Sequence, residues 1–170
     1  HGYRFVRYAD DFVVLTQSKS EAQEALTLVT HTLHQLGLQL SSEKTRITTY
    51  GQGYAFVGFV LSSRSRRMRE KSVQKFQDRV RALTPRHHNL DAALLEELNL
   101  VIRGTALYFA TRWSTTIWQL QRLDMWIRMR LRALKSKRKR ITDNYRLPKA
   151  KLAQLGLLSL MNFWPNAPSP

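Results

Sequence analysis

The chain has 170 residues, of which 43% are apolar and 24% charged, the composition of a folded protein with a core rather than of a disordered one. Its 28 lysines and arginines outnumber 12 acids, a formal charge of +16 that favours a polyanionic partner. With no cysteine there is neither a disulfide framework nor a thiolate metal site, and the longest apolar run, Ala55–Leu61, is far too short to span a bilayer. The default compartment is therefore the cytoplasm, with no membrane partner.

The charge is distributed unevenly. Residues 1–61 carry five basic and five acidic side chains and are neutral, leaving 23 basic and 7 acidic groups for the rest. This contrast predicts two modules, 1–61 and 72–161, joined by a basic connector over 62–71 and followed by an irregular tail from 162 to 170. The predicted class is α+β: antiparallel strands with a packed helix, then an α-helical module.

In the first module, Tyr3–Tyr8 and Phe12–Thr16 read as strands of a hairpin with Asp10 and Asp11 at its turn. Ser18 followed by Glu21 has the form of a capping box. Ala22, Leu26, Val29, Leu33 and Leu36 then keep helical spacing up to Gly37, a C-terminal stop. A strand is predicted near Arg46–Tyr50, then a turn at Gly51-Gln52-Gly53 and a single apolar strand over Tyr54–Leu61.

In the second module, Val73, Phe76, Val80 and Leu83 line one face of a helix that Pro85 ends. Asn89 is placed as the cap of a second helix carrying Leu94, Leu98, Val101 and Ile102, with Gly104 marking close packing or a kink. Ser114 or Thr115 caps a third, with Leu120, Leu123, Ile127, Leu131 and Leu134 inward and Arg128, Arg132 and Lys135 outward. Trp113, Trp118 and Trp126 are assigned to the core, where most tryptophans are found. His87-His88 has no partner at metal-ligand spacing and reads as loop surface.

Chemistry concentrates at Tyr8-Ala9-Asp10-Asp11. By itself an Asp-Asp pair is a good solvated turn. It is also a pair of hard oxygen donors, suited to Mg²⁺, which prefers one or two carboxylates plus substrate phosphates. The segment Arg7-Tyr8-Ala9-Asp10-Asp11-Phe12-Val13-Val14-Leu15 resembles the palm hairpin of bacterial reverse transcriptases. Two more blocks follow in that family's order, Leu36–Ile47 and Phe56-Val57-Gly58-Phe59. Leu98–Gly104, Tyr108-Phe109 and Leu123–Arg128 resemble the thumb and maturase region of group II intron-encoded proteins, except that Thr105 stands where relatives usually have an aromatic residue.

The resemblance implies a partial polymerase palm followed by a thumb/maturase module. It implies that Asp10 and Asp11 bind two Mg²⁺ ions that serve phosphoryl transfer, with Tyr8 and Ala9 beside the primer terminus and incoming nucleotide. Lys44 would lie near the polymerase site. Gly58, which by itself reads as a strand bulge, would let the chain approach the primer, and Phe59 would help to position it. The implied partners are an intron RNA template, a DNA primer and deoxynucleoside triphosphates. The family's third aspartate lies on a strand that precedes this hairpin, so fingers and the first half of the palm are expected as a separate segment, and the chain alone is expected to be inactive. The other reading is a non-catalytic RNA-binding splicing factor that keeps the maturase surface.

Two basic clusters read as phosphate contacts rather than as merely solvated faces, because few acids stand nearby. One is Arg64, Arg66, Arg67 and Arg69; the other comprises Arg128, Arg130, Arg132, Lys135, Lys137, Arg138, Lys139 and Arg140.

Overall fold

A short, β-rich sequence folds back on itself at the start of the chain. Strands β1 (Arg4–Tyr8) and β2 (Asp11–Leu15) pair antiparallel, with Arg4 opposite Leu15 and Tyr8 opposite Asp11. Ala9 and Asp10 form the two-residue loop. In the computed structural model, which describes residues 2–137 and 143–165, the chain divides into two units, His1–Arg64 and Ser65–Pro170.

In the first unit, helix α1 (Lys19–Gln35) lies against β2. Its start is the predicted capping box shifted by one residue: Ser18 Oγ accepts the Glu21 N–H, while the Glu21 carboxylate reaches back to the Gln17 N–H. Its end is a Schellman motif, in which Gly37 at φ +71° lets the Gly37 and Leu38 N–H groups donate to His34 and Leu33. Ala25 is the buried residue of this helix; Leu26, Val29 and Leu33 are half-buried, and Leu36 is exposed.

Two strand expectations are corrected here. No strand forms at 46–50. The Gln52 side chain instead accepts from the Thr49 N–H and from the Thr48 and Thr49 hydroxyls, tying this stretch into a local loop. Nor is Tyr54–Leu61 one strand: β3 (Tyr54–Phe56) and β4 (Phe59–Leu61) form a hairpin, with Phe56 opposite Phe59. Its loop, Val57-Gly58, has positive φ at both positions (39° and 82°), the requirement of a type I′ turn, so Gly58 serves a turn and not a bulge. Strand β3 neighbours β2, which brings the two hairpins together within this unit.

Gly53 closes the second hairpin at φ +82°, where an added Cβ would stand 3.0 Å from the Leu61 carbonyl oxygen and 3.2 Å from Ser62 Cβ. Both neighbours are backbone or close to it and cannot swing aside. Gly53→Ala is expected to cost about 1–3 kcal/mol in denaturant unfolding, whereas Gly51→Ala, in open space, should cost far less.

The second unit opens with β5 (Arg66–Met68), whose Met68 is buried. Helix α2 (Glu70–Leu83) buries Phe76 and Val80 and stops at Thr84-Pro85 as the sequence predicts. Helix α3 (Ala92–Phe109) is capped by Asp91, whose Oδ1 accepts the Leu94 N–H at 2.9 Å, two residues later than the predicted Asn89. It runs unbroken through Gly104, where nothing lies within 4 Å of an added Cβ, so that glycine marks neither a kink nor a tight contact.

Helix α4 (Ile117–Ser136) buries Leu120, Leu123, Ile127, Leu131 and Leu134, the predicted stripe. Its N-cap is Thr116, not Ser114 or Thr115. The Thr116 and Ser114 hydroxyls both turn back to the Phe109 carbonyl, satisfying the end of α3 instead of the start of α4. Short helices α5 (Asp143–Arg146) and α6 (Lys149–Gln154) follow, and a 3-10 turn over Leu160–Phe163 occupies part of the predicted irregular tail.

The segment 156–160 is held against α3 and α4 by two side chains. Asn99 donates to the Gly156 carbonyl and accepts from the Leu158 N–H, at 2.8 and 2.9 Å. Asp124, buried on α4, accepts from the Ser159 hydroxyl and from the Leu160 N–H. Asp124→Ala would strand a hydroxyl and a buried amide, so a loss of about 3 kcal/mol is expected. Chemical denaturation checks it; a change below about 0.5 kcal/mol would mean that water replaces the carboxylate at no cost.

Candidate nucleic-acid interface

The Asp-Asp hairpin is built from backbone geometry. Of its two loop residues Ala9 alone has positive φ (50°), the pattern of a type II′ turn, which ordinarily takes glycine at that place. Arg7 Nε donates to the Ala9 carbonyl at 2.8 Å and supports the strained turn. Tyr8, Ala9, Asp10 and Asp11 are all exposed at this end of the hairpin, and neither carboxylate has a hydrogen-bond or ion-pair partner among the described residues. Two such free carboxylates fit a divalent ion of the Mg²⁺ type, which completes its shell with water and phosphate oxygens. Among the described residues no group of three or more His, Cys, Asp or Glu side chains is placed to hold a metal ion, so this pair is an open ligand set.

The other residues singled out in the first unit lie on separate turns. Lys44 is exposed on a turn in which its N–H donates to the Ser41 carbonyl. Gly58 sits in the β3–β4 loop, and the Phe59 ring beside it is buried, so Phe59 acts through packing of the hairpin rather than by surface contact. Burial, with Tyr50 adding a smaller contribution, raises the Tyr54 phenol above its usual value at the opposite end of that hairpin. Arg64 is exposed at the end of this unit.

In the second unit Arg66, Arg67 and Arg69 are exposed along β5 and the start of α2. Arg128 and Arg132 stand four residues apart on α4, with Lys135 exposed beyond them. Burial, and then the Arg128 charge, lower the Arg132 pKa from its ordinary value, though a guanidinium stays protonated at neutral pH. Like charges at this spacing repel, and a phosphate between them would relieve the repulsion.

Three members of the second cluster have work within the fold. Arg132 Nε donates to the Leu147 carbonyl, and Lys137 Nζ donates to the Arg86 and His88 carbonyls. Arg130 holds Thr84 through its hydroxyl and its carbonyl, and its pKa is lowered by burial and then by Arg81. Arg138, Lys139 and Arg140 lie outside the described residues. Among the described residues the single ion pair is Arg81–Asp78, so the basic excess is not neutralised internally.

The tryptophan assignment needs correction. Trp126 is half-buried, with the guanidinium groups of Arg81 and Arg130 at 5.5 and 5.4 Å from the ring centre, but Trp113 and Trp118 are exposed. The inward stripe of α4 is filled by leucine and isoleucine, and residue 118 falls off it. The structural roles of Asn99 and Asp124 were also missed; a polar residue among apolar helix positions was the available signal.

The fold and site thus define a metal-type carboxylate hairpin in a small α+β unit, coupled in sequence to a basic helical module. Residues 1–78 match the reverse transcriptase (RNA-dependent DNA polymerase) family, and residues 73–150 match the maturase-specific domain of group II introns. Together the two matches, which span residues 1–150, support a group II intron reverse transcriptase/maturase. No curated protein matches it. Reverse transcriptases generally use divalent metal ions, and the two matched domains imply binding to RNA. Among the described residues no helix is long and apolar enough to cross a membrane.

Proposed function

We propose that this chain is the carboxylate-bearing part of an RNA-directed DNA polymerase, working on intron RNA with a DNA primer, deoxynucleoside triphosphates and Mg²⁺. The observation that carries the reading is the exposed, unpaired Asp10-Asp11 turn on a strand hairpin within the reverse transcriptase match. Asp10 and Asp11 would hold the ions; when bound, these activate a 3′-hydroxyl and neutralise charge on the departing pyrophosphate. The chain's own part is positional. The β1–β2 register fixes both carboxylates at one end of the hairpin, and Arg7 secures the Ala9 carbonyl so that the turn does not relax.

Tyr8 and Ala9 border the reacting ends, Lys44 offers a cation to the nucleotide phosphates, and the Val57-Gly58 turn with buried Phe59 supports the primer. In this reading, residues 1–61 serve as the palm part and 72–161 as the RNA-binding module, linked by the basic stretch 62–71. Arg64, Arg66, Arg67, Arg69, Arg128, Arg132, Lys135 and Lys137, together with Arg138, Lys139 and Arg140, supply the phosphate contacts. Cytoplasmic location goes with this role. Primer extension on an RNA template, with the fingers and first palm half supplied by a relative, tests the proposal.

A further inference from the structure

The exposed indole of Trp118 has no place in the polymerase reading. It stands on the first turn of α4, 75% exposed, off the stripe of leucines, isoleucine and Asp124 that the helix buries. Its neighbours in the chain are tied to strand β5. Gln119, the next residue, exchanges hydrogen bonds with both backbone groups of Met68, at 2.8 and 3.0 Å. Thr115 exchanges two more with the backbone of Arg66, at 2.9 and 2.8 Å. Strand β5 is thereby fastened along the joint that leads into α4, within one unit, and its exposed Arg66, Arg67 and the following Arg69 belong to the surroundings of Trp118. Arg122, exposed and one helical turn on, shares the Trp118 face. The acid on these segments is Glu70, while Asp124 is buried and engaged.

We propose that Trp118 is a base-stacking platform for single-stranded RNA, with Arg66, Arg67, Arg69 and Arg122 holding the flanking phosphates. This rests on the RNA-binding reading above and deepens it. Charge complementarity selects the occupant: a polyanion with exposed aromatic faces satisfies both the indole and the arginines. A duplex satisfies only the arginines, because its bases are already stacked. Fixing the backbone beneath the indole in advance removes part of the ordering cost of stacking a base on it.

The test is binding of a 12-nucleotide oligouridylate and of a blunt RNA duplex to the 170-residue chain, by fluorescence anisotropy at fixed salt. Trp118→Ala is expected to weaken the single strand about tenfold or more, the range of losing one stacked base, with duplex affinity changed less than about twofold. Trp118→Phe should restore most of the loss, and the salt slope should stay that of the parent, since no phosphate contact is removed. Circular dichroism checks folding, which an exposed side chain should leave intact. Equal losses for both RNAs, no loss for either, or a change in sedimentation that marks a protein interface would overturn the platform. Absence of RNA binding by the parent chain would instead defeat the RNA-binding reading itself.

Discussion

Asp10→Ala and Asp11→Ala are each expected to abolish primer extension by a complex of this chain with the fingers and first palm half of a close relative. The chain alone, with RNA template, DNA primer, nucleotides and Mg²⁺, is expected to give no product, and the complex to give one. In the proposed reading each carboxylate would supply oxygen ligands that no neighbour can replace, since among the described residues no third acidic or imidazole side chain joins them. Phosphoryl transfer depends almost wholly on positioning and charge. Substitutions one shell further out already cost about 10- to 100-fold in metal sites, so each alanine should exceed the upper figure. Lys44→Ala should cost less, because a lysine on a turn is one of several cations near the phosphates. Extension by the chain alone would refute the incomplete ligand set. A folded complex without extension would favour a splicing role that leaves Asp10 and Asp11 idle.

RNA binding is expected to fall steeply with salt. The motive is the excess charge confined to residues 62–170, met by one internal ion pair among the described residues. If about six phosphates of a single strand are neutralised, log K falls against log[salt] with a slope near about −4, or about 250-fold between 50 and 200 mM. Replacing Arg138, Lys139 and Arg140 by alanine should flatten the slope by about 2. Arg132→Ala is a poor substitute for that triple, because it also removes the hydrogen bond to Leu147 and mixes stability with binding. Titrations at four salt concentrations decide the matter, and a slope near zero would remove the phosphate-binding surface.

Local signals predicted local structure well. Ser18, Glu21 and Gly37 delimit α1 because capping is chemistry among residues close in sequence. The apolar stripe of α4 was legible for the same reason, since period and burial coincide over about four turns from Leu120 to Leu134. Failures came where a partner far along the chain decides. Apolar character over 54–61 is the same for one strand as for two, and only the positive φ of Val57 with Gly58 divides them. Ser114, an expected cap of α4, turns its hydroxyl instead to the Phe109 carbonyl five residues back, as Thr116 does from the N-cap position.

For the site, the carboxylate pair was legible because its chemistry is written in four consecutive residues. Arginine roles were not. Arg128 and Arg132 look alike in a list of charges, yet Arg132 is committed by Nε to a carbonyl fifteen residues away. Trp118 was misplaced because bulk argues for burial, while the helix phase that exposes it depends on where α4 begins.

The grip of Asn99 and Asp124 on segment 156–160 falls mainly on main-chain groups: one carbonyl, two amides and a single hydroxyl. Peptide groups are the same in every sequence, so this attachment is largely indifferent to which side chains the segment carries. Its vocabulary is confined to Gly156, whose φ of +96° suits no other residue well, to Ser159 and to the buried Leu160. The information that seats this part of the chain is therefore stored some sixty and thirty-five residues upstream, in two polar side chains of helices α3 and α4.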